Sequence, residues 1–268
     1  MIHRWIMFVT RNSMIIRALL TGMAATSIVA CGRETRSGAI QPAATQPATQ
    51  STRGEHPKHA AARAAMVREQ LAARDITYKR VLETMGRVPR HRFVRPVDEG
   101  EAYDDHALLI NHDQTISQPY IVALMTQLAQ VKPGDRALDI GTGSGYQAAV
   151  LADMGADVAS IEIIPELAAE AKARLAELNY KAEVRAGDGY RGWPERAPFQ
   201  VIVLAAAAPR IPQPLIDQLA TGGRLVLPVG EARSQELLVV TKQADGSLKR
   251  ETVAPVLFVP MTGEIRRR

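Results

Sequence analysis

The sequence predicts an α/β fold of the Rossmann-like, doubly wound kind, and three observations carry that prediction. Short apolar runs alternate with helix-sized segments from residue 136 onward. The first run ends in a glycine-rich turn, Gly141-Thr142-Gly143-Ser144-Gly145. The last two apolar stretches are too close together for a crossover helix between them. Alternating βα units imply a mostly parallel sheet with helices on both faces, and the closing pair implies an antiparallel hairpin at one edge.

Taken in order, Ala60 to Arg87 carries Met66, Leu71, Ile76, Val81, Leu82 and Met85 at helical spacing, interrupted near Asp75 to Thr77, which predicts an N-terminal helical addition. Ser117-Gln118-Pro119 is a helix-start signal for Tyr120 to Val131. Strands are expected over Arg136 to Ile140, Asp157 to Glu162, Ala182 to Ala186, Gln200 to Leu204 and Arg224 to Pro228, with helices in the first four gaps. The edge hairpin is expected from Glu236 to Thr241 and from Val253 to Val259, turning near Asp245-Gly246.

The first sixty residues read differently. Met14 to Cys31 joins a basic residue to an apolar run ending Ile28-Val29-Ala30-Cys31, the form of a secretory or lipoprotein-type leader over residues 1–31. The run is too short to span a bilayer, which takes about 20 residues, so any membrane tether would be through Cys31. Residues 32–59 are rich in Gln, Pro, Thr and Ala and are expected to be a disordered linker, leaving 60–268 as a single domain. The leader points to the cell envelope, whereas the ligand chemistry developed below points to the cytoplasm.

The net charge of +5 is confined to that stretch, where seven basic residues face two acidic ones, and the remainder balances. A neutral folded part lacks the field that nucleic-acid binding requires. A single cysteine rules out an intrachain disulfide framework, and His91, His106 and His112 show no metal-ligand spacing, so no metal is expected. Nothing in the composition fixes an oligomeric state.

The chemistry lies at the strand ends. Glycines there let backbone approach a ligand, and the helix start that follows offers unpaired N–H groups to an anion. The spacing is Gly-x-Gly-x-Gly, unlike the dinucleotide fingerprint. Asp139 precedes the turn, Glu162 ends the next strand where a ribose-binding carboxylate belongs, and Asp188-Gly189 closes the third. Any one of these acids alone could be a loop carboxylate in solvent. Together, placed at exposed strand ends, they suit a ligand with an ammonium and a sulfonium, such as S-adenosylmethionine, and would repel a pyrophosphate.

The sequence resembles the protein-L-isoaspartate O-methyltransferase family from about Met66 to Gly263. The resemblance rests on Val88-Pro89-Arg90-His91, Gln114-Thr115-Ile116-Ser117-Gln118-Pro119, Ile140 to Tyr146, Gly187-Asp188-Gly189, Gly192-Trp193-Pro194, Ala206-Ala207-Ala208-Pro209, Gly222-Gly223-Arg224-Leu225 and Phe258-Val259-Pro260. It implies a methyltransferase that esterifies the free carboxylate of isoaspartyl residues in damaged proteins with S-adenosyl-L-methionine as donor. It further implies that Asp139, Gly141, Gly143, Ser144, Glu162, Asp188 and Gly189, with Thr142 and Gly145 of the same turn, bind the cofactor, and that Ser117 is the active-site serine. Ser117 could equally be only a helix N-cap, worth about 1 kcal/mol. The chain departs from the family at Asn111-His112-Asp113, where glycines are usual, at Gln200, usually Asp, and at Ala205, usually Thr. Competing readings are a nicotinamide-dependent dehydrogenase, a base-modifying methyltransferase, which Ala206-Ala207-Ala208-Pro209 argues against, and an exported lipoprotein of the same fold without turnover.

Overall fold

The computed structural model describes residues 55–231 and 233–266; the leader and most of the linker, including Cys31, lie outside them. Helix α1 spans Pro57–Ala65 and continues as a wider π-helical stretch, Met66–Ala72, before α2, Lys79–Arg87. The first helix therefore starts three residues ahead of the expected boundary at Ala60, and Pro57 in its first turn accounts for the start. Glu55, still earlier, pairs with the buried Arg63 through both carboxylate oxygens. Arg63 also donates to the Tyr103 hydroxyl and to the Gly86 carbonyl, so the segment is fastened before the helix begins.

A short hairpin that periodicity did not reveal follows, β1 (Leu108–Leu109) against β2 (Thr115–Ile116), and it leads through Ser117 into α3, Pro119–Ala129. Two residues per strand are too few to leave a period. Then come β3 (Arg136–Ile140), α4 (Tyr146–Asp153), β4 (Asp157–Glu162), α5 (Pro165–Glu177), β5 (Ala182–Ala186), β6 (Phe199–Leu204), α6 (Gln213–Asp217), β7 (Leu219–Glu231), β8 (Ser234–Lys242) and β9 (Leu248–Val256). The sheet runs β5-β4-β3-β6-β7-β8-β9, parallel up to β7 and antiparallel from β7 to β9. The Rossmann-like architecture with an antiparallel edge is thus the one the sequence predicts.

Three details differ from expectation. The gap between β5 and β6 holds no α-helix but two 3₁₀ turns, Gly189–Arg191 and Pro194–Arg196. Gly189, Gly192, Pro194 and Pro198 break any helix there, and Gln218 ties the loop down by accepting from the Trp193 N–H and donating to the Arg191 carbonyl. Helix α6 has only five residues, hemmed in by Pro209, Pro212 and Pro214. Strand β9 begins at Leu248, five residues before the expected Val253, because pairing with β8 starts straight after the turn with Lys242 opposite Leu248.

Apolar side chains pack on both faces of the sheet, Val158, Val201, Val203 and Val226 on one, Leu138, Ile140, Ile202 and Leu225 on the other. Successive strand residues point to opposite faces, so a strand covered on both sides reads as a continuous apolar run. The chain winds from β3 outward through β4 to β5, then returns to place β6 on the other side of β3. A fold of this kind opens a crevice where the winding reverses, beyond the carboxyl ends of β3 and β6.

Candidate active site

A cleft of about 400 Å³ lies at that point. Its wall includes Ile140 to Ser144 from the turn after β3, Ile161 to Ile164 from the end of β4, and Ala205-Ala206 after β6. Asp113 to Ser117 of the hairpin close one side and Val259 to Thr262 another. The last segment is held over β6 by two backbone hydrogen bonds with Ala207, from the Ala207 N–H to Val259 O and from the Met261 N–H to Ala207 O, each 2.8 Å. A wider surface groove of about 640 Å³, lined by Tyr190, Arg191, Pro194, Ala197, Pro214, Asp217, Gln218 and Glu264, shares no residue with the cleft.

The glycine turn takes its shape from left-handed backbone at Gly141 (φ 86°) and Gly145 (φ 92°). It is fixed by N–H donation from Gly141 and Thr142 to the Ile161 carbonyl. Gly141 lies against Ala205. Gly189 is crowded from below: a Cβ there would stand 2.3 Å from Ile140 Cγ2, so no side chain fits without displacing the end of β3. Gly145 is packed against Leu175 and Ala171 of α5 and is not part of the wall.

The three acids expected to line the crevice have separate surroundings. Glu162 is on the wall, only 5% exposed, its Oε2 accepting from the Gly143 N–H (2.9 Å) and its Oε1 from the Ile164 N–H (3.1 Å). Asp139 is fully buried behind the turn, not at an exposed strand end, because β3 is central in the sheet. Ser160 Oγ donates to its Oδ2 (2.7 Å), and Thr142 Oγ1 is 2.6 Å from the same serine oxygen. Burial pushes the Asp139 carboxyl up to about 7, against the Ser160 hydrogen bond and with help from the Glu162 charge. Its Oδ1 has no protein partner. Asp188 is off the wall, with Oδ1 accepting from the Tyr190 N–H and Oδ2 from the Glu264 N–H, so it anchors the C-terminal turn.

Ser117 lies half-buried on the wall of the same cleft as Glu162. It is not the N-cap of α3: that position is Gln118, whose side chain makes no cap bond and instead donates to the Asp105 carbonyl. Of the residues expected to act, Ser117, Gly141, Thr142, Gly143, Ser144, Glu162 and Gly189 line the same cleft, while Asp139, Gly145 and Asp188 support it from behind. Sequence reasoning missed Ile163, an apolar side chain 40% exposed directly after Glu162, and Asp113 at the hairpin tip. An apolar residue following a strand-end acid was the available signal for the first.

Among the described residues no histidine contributes to the cleft wall, but the fold brings several of them near acids elsewhere. His59, His91 and Glu99 bring donor atoms within 4.8 Å of one another, as do Glu101, Asp104 and His106, groupings that linear spacing did not show. The His59 and His91 rings stack at 4.2 Å and 11°, so their lone pairs lie in parallel planes and do not converge on one point. His59 is an ion-pair partner of Glu99 at 2.9 Å, and His91 Nδ1 is 2.8 Å from the Tyr103 hydroxyl. Burial, with the neighbouring His59, holds His91 down at about 4.

Among the described residues no Lys, Arg or His lines the cleft, and two carboxylates do, so its chemistry fits a cationic ligand and not a pyrophosphate. Sheet order, switch-point cleft and acid-flanked glycine turn together define an S-adenosylmethionine-dependent methyltransferase of the Rossmann-like class. The sequence profile of the protein-L-isoaspartate(D-aspartate) O-methyltransferase family matches residues 61–266. A protein-L-isoaspartate O-methyltransferase of Gloeobacter violaceus is 54% identical over 200 residues, 74% of this chain and 98% of its own length. One of Opitutus terrae is 53% identical over 200 residues, 74% of this chain and 86% of its own length. Among solved structures, the Plasmodium falciparum beta-aspartate methyltransferase in complex with S-adenosyl-L-homocysteine matches with a TM-score of 0.66 at 26% identity, covering 75% of this chain and 98% of that one. The chain belongs to the protein-L-isoaspartate O-methyltransferase family.

Proposed function

We propose that this chain repairs proteins by transferring a methyl group from S-adenosyl-L-methionine to the free carboxylate of isoaspartyl residues. The observation that carries the reading is that Ser117 and the glycine turn line one cleft where, among the described residues, the charged side chains are acidic. The donor, when bound, supplies a methyl group on a positively charged sulfur. Glu162, Gly141, Thr142, Gly143 and Ser144 are the residues placed to hold it, with the start of α4 offering N–H groups to a carboxylate. Asp139, with an unpartnered oxygen behind the turn, adds negative potential when ionised. Ile163 offers an apolar face beside Glu162.

The isoaspartyl α-carboxylate has a pKa of about 3.3 to 3.7 and is already ionised at neutral pH, so no general base is needed. That agrees with a wall to which none of the described histidines contributes. The work left to the chain is alignment and exclusion of water. Ser117 provides a hydroxyl for orienting the carboxylate, at the end of a hairpin that fixes its position. The methyl ester formed then closes to a succinimide without the enzyme, as the following backbone amide nitrogen attacks the ester carbonyl and methanol leaves. The test is full-length protein with labelled S-adenosyl-L-methionine and two peptides differing only in an isoaspartyl or an aspartyl linkage. Label is expected in the first alone. Equal labelling of both, or binding of NAD in place of the donor, refutes the proposal.

A further inference from the structure

The hairpin that closes the substrate side of the cleft is held in a conformation that costs energy. His112 (φ 57°) and Asp113 (φ 54°) are consecutive non-glycine residues in the left-handed region, which persists only where the surroundings hold it. The holding group is Glu170 on α5. Asn111 Nδ2 donates to its Oε2 at 2.7 Å, and His112 Nε2 lies 3.5 Å from its Oε1. At the base of the tip Ile110 packs on Gly143 of the glycine turn, and the Ile110 N–H donates to the Gln114 carbonyl at 2.8 Å. The hairpin is thus pinned to the donor side of the cleft at both the turn and α5.

The consequence of this pinning is to set Asp113 into the wall, four residues before Ser117. Asp113 is exposed, and among the described residues the wall offers it no cationic partner. The residue after Ser117 is tied to an acid-rich stretch outside the cleft wall. The Gln118 side chain, next to Ser117, donates to the carbonyl of Asp105, the end of the acid-rich stretch Asp98 to Asp105. Within it Arg95 pairs Asp98, His59 pairs Glu99 and Arg74 pairs Asp105, while Glu101 and Asp104 are more than half exposed and face His106 at 3.6 and 4.0 Å.

Building on the activity proposed above, we infer that Asp113 is a specificity-determining residue, selecting isoaspartyl segments that carry a basic residue beside the damaged one, and that Glu170 is the positioning residue that holds it there. The isoaspartyl carboxylate itself is anionic, so an acidic flank would bring further negative charge against Asp113, whereas a lysine brings the opposite. Replacing one by the other reverses the sign of a solvent-screened interaction, an effect on the order of 5-fold in affinity at low ionic strength.

The experiment uses full-length protein and three isoaspartyl peptides identical except for Ala, Lys or Glu beside the isoaspartyl residue. Two quantities are read: kcat/KM with S-adenosyl-L-methionine, and peptide affinity by fluorescence anisotropy in the presence of S-adenosyl-L-homocysteine. The Lys peptide is expected to exceed the Glu peptide by about 5-fold in both, chiefly through KM, with the gap closing as salt is raised. Asp113→Asn should bring the two within about 2-fold of each other, since the sign-dependent interaction is gone. Glu170→Ala should narrow the gap as well, and Glu170→Gln, which keeps an acceptor for Asn111, should restore most of it. Equal rates for the Lys and Glu peptides in the wild type, or a gap that survives Asp113→Asn, overturn the inference while leaving the activity in place. Failure to label even the Ala peptide overturns the activity, and the inference with it.

Discussion

Asp139→Asn probes a buried carboxyl whose ionisation should link fold stability and donor binding with opposite signs. Asp139 is fully buried, its carboxyl is pushed up to about 7, and one oxygen has no partner. An aspartate in the unfolded chain titrates near 3.9. Because the folded value is the higher one, the folded state binds more protons in between, and the contribution is fully present below the unfolded pKa and lost as pH rises through the folded one. At 1.36 kcal/mol per unit, the loss between pH 5 and pH 8 is roughly 3 kcal/mol. His91, held low by burial, works in the opposite direction, so the quantity to measure is the difference between wild type and Asp139→Asn. Urea unfolding of both proteins without donor at the two pH values gives it: the wild type should lose roughly 3 kcal/mol relative to the variant. Donor affinity should run the other way. A cationic ligand prefers the ionised carboxylate, so wild-type affinity measured by calorimetry should weaken about 10-fold from pH 8 to pH 6, and the variant should bind weakly at both. A stability difference that does not change with pH, or equal wild-type affinity at both values, refutes the reasoning.

Ser117→Ala should keep donor affinity and lose turnover by about 10-fold or more, which corresponds to at least 1.36 kcal/mol of transition-state stabilisation. Stability should barely change because Gln118 is the N-cap; denaturant midpoints together with saturating kinetics check both, and Ser117→Thr should retain part of the activity. Gly189→Ala must displace Ile140 from beneath the cleft, so a stability loss of about 1–3 kcal/mol and weaker donor binding are expected, read by thermal melts and calorimetry. If the leader is processed at Ile28-Val29-Ala30-Cys31, mass spectrometry of the native protein should find a lipidated Cys31 at its N-terminus and the protein in the membrane fraction; a native chain starting at Met1 or Met14 excludes this.

What could be read from the sequence follows the strength of the local signal. The strands β3 to β6 are segments of five or six residues in which apolar side chains alternate with or outnumber a few polar ones, and their limits were legible to within a residue. The β5–β6 connection was not, because a length suited to a helix says nothing about whether Gly189, Gly192, Pro194 and Pro198 allow one. In the site, the glycine turn and Ser117 stood out as motifs, whereas Asp113 and Ile163 reach the cleft through the path of the hairpin and the end of β4. Exposure was the property read wrongly. A residue at a strand end looks exposed in one dimension, yet the end of β3 lies between β4 and β6 with the glycine turn folded over it.

The three strand-end acids show why that error matters to function. Had all been exposed, the cleft would carry three hydrated carboxylates, each able to rotate, and binding a cation would require ordering them. Instead Glu162 accepts two backbone N–H bonds, one from Gly143 of the turn itself, so the shape of the turn and the orientation of the acid depend on each other. Asp188 spends both oxygens on Tyr190 and Glu264, and so holds the C-terminal segment whose Val259 to Thr262 close the cleft. Asp139 is left as a charge reserve behind Thr142 and Ser160. Fixed dipoles and charges need no reorganisation when the ligand arrives, and in a low-dielectric setting their effect is larger than that of solvated groups. One acid therefore lines the cleft, one anchors the segment that closes it, and one is buried behind the turn, which is why single substitutions at the three should fail in different ways: Glu162→Gln in donor affinity, Asp188→Asn in closure of the C-terminal wall, and Asp139→Asn in the pH dependence.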